Sequence, residues 1–485
     1  MNPVIDYHAL APEIVLSVTI ILCLLVDLFI PDRPRLVPQL ASLGVLAAII
    51  PVLTLAVSGT DVSMFGGAFV VDNYALAFDG LFLVVAYITL LVSFDEIADG
   101  DYYGGEYYVL LLTSVLGMVM MASSRDLVSI FIALETISIP TFVLAGWRKH
   151  DTKSNEAAIK YFLIGVLSSA VMLYGMSLIF GFANGTKLSV ISEYSAGSPP
   201  ALFAVAIFLT IVGFAFKVSA VPFHFWAPDT YEGAPLPVTA FLSVASKAAG
   251  FVALLTIIRF GFFNSSDSWQ PLIWVLAAAS MTFGNLAALR QTNIVRMLAY
   301  SSIAQGGFIL VPLAVAGDVS GPSAWEAVLV YLMIYAAMNL GAFAVVMAVS
   351  RRTHSTEISS FAGLGRVDSV NAVMLSLFMF SLAGIPPLAG WFAKFVIFRA
   401  VFDAGTTAAV VLGVIAALNA VVAFFYYSNV VRRMWFDEAP EVVSSPRPAS
   451  VALTLAIGIT VVVVVVVGVY PEVFARLGQL AFASG

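Results

Sequence analysis

Uncharged apolar runs long enough to cross a bilayer recur along the whole 485-residue chain. A hydrocarbon core about 30 Å thick needs roughly 20 such residues in a helix, and it leaves no backbone amide unpaired. The sequence therefore predicts an all-α polytopic membrane protein with about 14 transmembrane helices. The runs are 10–30, 37–58, 73–94, 106–123, 126–146, 156–182, 202–226, 236–260, 270–289, 294–316, 325–349, 370–400, 407–431 and 450–470. They are continuous rather than alternating, which excludes a β-barrel. Charged residues make up 11% of the chain, against about 25% in soluble domains.

The net charge of -7 argues against a nucleic-acid partner. Cys23 is the single cysteine, so the chain has no internal disulfide framework and no cysteine-ligated cluster. His8, His150, His224 and His354 lack metal-ligand spacing. No basic region precedes the first apolar run, which reads as a retained helix and not a removed signal.

Loop charges orient the chain. Thirteen bases fall on one side: Arg33, Arg35, Arg148, Lys149, Lys153, Arg290, Arg296, Arg351, Arg352, Arg366, Arg432, Arg433 and Arg447. Arg125, Lys187, Arg259, Arg399 and Arg476 fall on the other. The positive-inside rule then puts both termini outside, in the periplasm if the membrane is a bacterial inner (plasma) membrane. Residues 94–107, on the basic side, hold Asp95, Glu96, Asp99, Asp101 and Glu106 without a base. Acidic residues weigh little in this rule.

Four ionisable groups interrupt the apolar runs: Glu135, Lys217, Lys247 and Lys394. A charge at the bilayer centre costs at least ~2.5–3.5 kcal/mol on insertion scales. One acid and three bases at that depth have the makings of a proton or ion path. A dry lysine releases its proton more readily, and a nearby carboxylate reverses that. A Glu135–Lys217 contact, direct or through one water, would therefore act as a switch, with Lys247 and Lys394 as later stations. His224 is a candidate relay between Lys217 and Lys247. Plain structural roles also exist: a static Glu135–Lys217 pair, a snorkelling Lys394 or Lys160, and His224 bonded to a freed carbonyl.

The sequence also repeats. Residues 117–135 match 284–302 at an offset of 167, EAAIKYFLIG (156–165) matches EAVLVYLMIY (326–335) at 170, and FKVSAVPF (216–223) matches FSLAGIPP (380–387) at 164. The unit is five spans, and an odd number inverts the second copy. The expected division is residues 1–104 (three helices), 105–262 (first repeat), 263–435 (second repeat) and 436–485 (last helix). Pro222 and Pro386–Pro387 each break a helix in matched places. Broken helices of this kind point to a transport site.

The stretch FKVSAVPFHFWAPDTYEGAPLPVTAFLSVASKAAGF (216–251) resembles the signature of the antiporter-like subunits of respiratory complex I. Its PDTYEGAP detail is closest to the subunit N type of NADH-quinone oxidoreductase, not to types L and M. QTNIVRMLAYSSIAQGGF (291–308) and SLAGIPPLAGWFAKF (381–395) carry the same resemblance. It covers about residues 10–435. It implies Glu135, Lys217, Lys247 and Lys394 as the family's buried glutamate and lysines, and His224 as its histidine. Val295 and Gln305 stand where related sequences often carry lysine and histidine, which puts a histidine relay in the second repeat in doubt.

The implied function is proton translocation coupled to electron transfer from NADH to quinone. The implied partners are other membrane-arm subunits and, through them, a hydrophilic redox arm. No cofactor is expected on this chain; NADH, FMN, iron–sulfur clusters and quinone are expected in partner subunits. A multisubunit cation/proton antiporter subunit and an independent solute permease are the alternatives.

Overall fold

The computed structural model describes residues 5–30, 35–98, 104–197, 199–319, 321–439 and 450–482. Arg33, Asp99, Asp101 and Arg447, counted in the loop charges, lie outside the described residues.

Helices α1 (Ala11–Phe29) and α2 (Leu36–Ser58) are followed by a small antiparallel hairpin, β1 (Val62–Met64) and β2 (Phe69–Val71). Then come α3 (Asn73–Ala98), α4 (Gly104–Ser123), α5 (Leu127–Ala145), α6 (Thr152–Ala183) and a short α7 (Leu188–Ser195). The first interrupted helix is α8 (Ala201–Lys217) with α9 (Trp226–Gly233). Next are α10 (Leu236–Phe241), a π turn at Leu242–Ser246, and α11 (Lys247–Ile257). The second half holds α12 (Ser266–Ala288), α13 (Ile294–Val315), α14 (Ser323–Thr353) and α15 (Leu364–Val367). The second interrupted helix is α16 (Ser369–Ala383) with α17 (Gly390–Ala404). The described chain finishes with α18 (Thr407–Phe436), α19 (Val451–Val469) and α20 (Glu472–Phe482).

Among the described residues, eleven helices are long and apolar enough to cross a membrane, and α8 and α16 are shorter apolar helices. One of the eleven is the run Leu236–Ala288, 53 residues long. At 1.5 Å per residue that is about 80 Å, well beyond one crossing. It is wound as π at Ile258–Phe262 and as 3₁₀ at Phe263–Ser265. The hairpin and the short α7, α15 and α20 were not read from the sequence.

Helices α10, α11, α13 and α14 are almost wholly enclosed, whereas α1, α2, α6, α18 and α19 turn most of their surface outward. The outward residues are large and apolar, among them Val57, Leu167, Leu418 and Phe425. A soluble surface does not carry apolar area on this scale. The chain is an integral, multi-pass membrane protein.

Local joints carry the repeat. Asp126 caps α5 by accepting from the Val128 and Ser129 amides, and Asn293 caps α13 by accepting from Val295 and Arg296. Each cap residue sits in an isolated antiparallel bridge, Asp126 with Lys187 and Asn293 with Glu357. Asn184 and His354 end α6 and α14 in the left-handed conformation. The broken helices match as well, at an offset of 165 and not the 164 of the sequence match. Ser219 and Gly384 both have positive φ, and Val221–Pro222 and Pro386–Pro387 are both cis. The Ala220 amide donates to the Ala215 carbonyl, and the Ile385 amide to that of Phe380. The backbone thus pairs Pro222 with Pro387.

The Asp126 carboxylate also accepts the Thr186 hydroxyl at 2.5 Å. Asp126→Ala is expected to destabilise the subunit by about 1–2 kcal/mol, as loss of a cap does. A lowered thermal midpoint of the isolated subunit in detergent would register it.

Candidate functional site

The lysines lie where helices are interrupted or where bulky side chains are absent. Lys217 is the last residue of α8, at the break. Its Nζ donates to Ser138 Oγ of α5 at 2.9 Å and to the Tyr161 hydroxyl of α6 at 3.4 Å. Tyr161 in turn stacks on Trp226, with ring centroids 4.4 Å apart. Lys217 is 2% exposed, and Gly250 makes room for it: a Cβ there would stand 3.0 Å from its stem.

Lys247 follows the π turn and is 1% exposed. Its Nζ donates to the Ser302 carbonyl at 2.6 Å and closely to the Ser302 hydroxyl. Lys394, on α17, reaches back across the second break to the Ala383 carbonyl at 2.5 Å and lies over the Phe308 ring at 5.2 Å. Gly384, at φ +89°, lets it pass. Each ammonium meets neutral oxygens, and among the described residues none of the three lies within 4 Å of a carboxylate.

Glu135 is placed differently. It is partly exposed, beside the outward apolar residues Ile132 and Ile139 of α5, and accepts from Ser169 of α6 at 2.7 Å. It forms no direct ion pair with Lys217; the lysine instead takes Ser138, one turn along the same helix. His224 is 2% exposed and packs its ring on Phe225 and Phe283, centroids 4.4 and 4.6 Å away. It makes no hydrogen bond to Lys217 or Lys247, and its Nδ1 has no protein partner.

The repeat offsets relate the second half to the first. At the repeat offsets, Glu135 falls opposite Ser302, Ser138 opposite Gln305, Tyr161 opposite Tyr331 and Lys217 opposite Leu382. Gln305 donates to the Leu382 carbonyl at 3.2 Å and accepts from the Tyr331 hydroxyl at 2.5 Å. The Lys217–Ser138–Tyr161 cluster is therefore rebuilt without a lysine, as a neutral Leu382–Gln305–Tyr331 cluster. Tyr427, bonded to Ser301 at 2.5 Å, extends it. These serines and tyrosines were absent from the sequence reading, because nothing in a run such as LETISIPT shows which neutral polar residue meets a lysine. Asp79, 2% exposed on α3, was also missed. Lys160 pairs with Glu156 and Asp229.

At one end of the helices lies a polar cavity of about 620 Å³. Glu96, Arg148, Asp151, Lys153, Glu232 and Glu357 line it, with Leu236 and Val295 as its apolar part. Arg296 bridges Asp229 and Glu232, each at 2.8 Å, and so ties α9 to α13. Among the described residues no group of three or more His, Cys, Asp or Glu could hold a metal ion.

Residues 124–419, more than half of the chain, match the model of the NADH:quinone oxidoreductase/Mrp antiporter transmembrane family. The chain belongs to that family. A subunit N of NADH-quinone oxidoreductase from Trichlorobacter lovleyi is 40% identical over 442 residues, 90% of this chain and 89% of that protein. A chain of respiratory complex I from Thermus thermophilus superimposes with a TM-score of 0.80 at 30% identity, covering 96% of this chain and 98% of that one. A chain of the Mrp complex from Dietzia superimposes with a TM-score of 0.87 at 19% identity, covering 99% and 97%, and shares the fold. The matched region spans both interrupted helices, the three buried lysines and Glu135.

Proposed function

We propose that this chain moves protons across a membrane along Glu135, Lys217, Lys247 and Lys394. It is an N-type, antiporter-like membrane-arm subunit of an NADH-quinone oxidoreductase, as its Trichlorobacter relative is named, and it sits among other membrane subunits of that complex. Electron transfer from NADH to quinone runs in partner subunits, which hold the cofactors. The observation that carries the reading is that three lysines, each no more than 7% exposed, meet only neutral oxygens. A permanent ammonium without a counter-charge is costly at such depth. A group that gives its proton up and takes it back is not held to that cost throughout the cycle.

In this reading the chain crosses the membrane fourteen times, with both termini in the periplasm of a bacterial inner membrane. Residues 105–262 and 263–435 form two inverted units, and the matched caps and breaks support that pairing. Glu135 sets the charge state of Lys217 through the Ser138 side of α5, in a state where its carboxylate leaves Ser169. Lys217, Lys247 and Lys394 then pass protons in turn, with the Gln305–Tyr331–Tyr427 cluster lying beside the Ser302 partner of Lys247. His224 serves the first interrupted helix.

The multisubunit antiporter alternative has the fold in common, but its Mrp example stands at 19% identity against 40% for the oxidoreductase subunit. Glu135→Gln keeps size and hydrogen bonding and removes the charge. It is expected to slow proton uptake by inside-out vesicles severalfold while NADH oxidation by an artificial electron acceptor stays unchanged. Undiminished uptake by an assembled complex would remove Glu135 from the path.

A further inference from the structure

The two breaks carry the same tryptophan and use it differently. At the offset of 165 that aligns the breaks, Trp226 falls on Trp391. In the first half the Trp226 indole Nε1 donates to the Phe216 carbonyl at 3.1 Å, and so ties α9 back to α8 beside Lys217. The matching acceptor in the second half is the Ser381 carbonyl, which takes the Gly384 amide at 2.9 Å but not the indole. Trp391 Nε1 turns instead to α19 and donates to the Gly468 carbonyl at 2.8 Å. The Ala389 amide donates to the Val464 carbonyl of the same helix at 2.9 Å. Val464 and Gly468 are four residues apart, so the two acceptors lie about one turn from each other. Gly468 allows the close approach: a Cβ there would run into the Pro387 carbonyl oxygen and the backbone of Leu388 and Ala389.

From this we infer that Trp391 is a positioning residue for Lys394: its indole fastens the second break to Gly468, so that α19 governs how the lysine reaches the Ala383 carbonyl. The inference rests on the reading of Lys394 as a proton station. Ala389 and Trp391 stand at the start of α17, and Lys394 lies one turn on, at i+3 from the tryptophan. Both anchors to α19 are therefore on the turn that carries the lysine stem. In the division proposed above, α19 belongs to neither repeat. It packs on α3, α14, α16 and α17, and its remaining surface faces outward. The first break thus keeps its indole lock within its own pair of half-helices, and the second gives the same lock to an outer helix. A displacement of α19 moves the first turn of α17 and, with it, the 2.5 Å contact between Lys394 Nζ and the Ala383 carbonyl.

Trp391→Phe removes the indole N–H and keeps a ring beside Phe392 and Phe395, whose centroids lie 5.7 and 6.1 Å away. In the assembled complex, proton uptake per quinone reduced should fall roughly threefold, the order of what one ordinary hydrogen bond is worth in an equilibrium. The pH at which uptake is half-maximal should move as well, because the oxygen a lysine meets helps to set when it gives up its proton. Lost packing alone would lower the amount taken up and leave that midpoint in place. Trp274→Phe is the control: it removes an indole bond of 2.9 Å from α12 to the Ala408 carbonyl of α18, and it should change neither quantity. Parental uptake in Trp391→Phe, or reduced uptake with an unmoved midpoint, would overturn the positioning role. If Lys394→Ala pumps normally, the station itself fails; if Lys394→Ala is defective and Trp391→Phe normal, the lock alone fails.

Discussion

Lys247→Ala is expected to cut proton uptake by inside-out vesicles to below about a tenth, since positioned proton-transfer groups are typically worth 10²–10⁴ in rate. The complex should still assemble on a native gel, because alanine at this fully buried site creates a cavity and not a clash. Lys247→Arg separates two roles. Arginine keeps the positive charge and donates to Ser302, but it does not deprotonate under protein conditions. If the lysine only fastened α11 to α13, arginine would preserve pumping. A residue that must release its proton each cycle makes both variants defective, and full pumping by either in an assembled complex would end the lysine's role as a station.

The second large effect concerns Gly390, at the start of α17. A Cβ there would fall 1.7 Å from the Ser381 carbonyl oxygen and 3.0 Å from Met338 Sδ. The obstacle is backbone, which cannot swing aside. Gly390→Ala must therefore push α17 off α16. Overpacking typically costs 1–3 kcal/mol, and this contact is closer than most, so about 3 kcal/mol or more is expected. Lys394 would lose its 2.5 Å reach to Ala383 in the same movement. Expected results are a subunit lost from the purified complex on heating and a pumping defect in whatever remains. A variant with the parent's thermal midpoint would show that the two half-helices have slack at this crossing.

Much of this was legible from residues alone. Apolar run length gives the helices directly, since the bilayer permits little else. Pro222 and the Gly384–Pro387 stretch announce their breaks, because proline has no amide to donate. The four charges within apolar runs stood out against uncharged flanks, and three of them are buried. What did not show depends on how helices rotate about their axes. Sequence offers Glu135 as the natural partner of Lys217, yet the rotation of α5 brings Ser138 to the lysine and leaves Glu135 toward Ser169. Asp79 lies only seven residues into its run, so its 2% exposure follows from packing that sequence does not encode locally. The one-residue difference between offsets of 164 and 165 arose because similar side chains align where left-handed residues do not.

The enclosure of α13 and α14 has a consequence for how a ribosome can deliver this subunit. Both are surrounded on nearly all sides, and they carry Gln305 and Asn339, whose amides bond to protein and not to lipid. When they leave the translocon, α16 to α19 have not yet been synthesised, so part of their eventual jacket is missing. The earlier helices that pack on them, α3, α9, α10 and α12, are the shelter on offer at that moment. A nascent chain halted after α14 should therefore depend on a membrane chaperone or on a waiting partner subunit. The outer helices α18 and α19, with their valine-rich surfaces, need no such escort and close the bundle last.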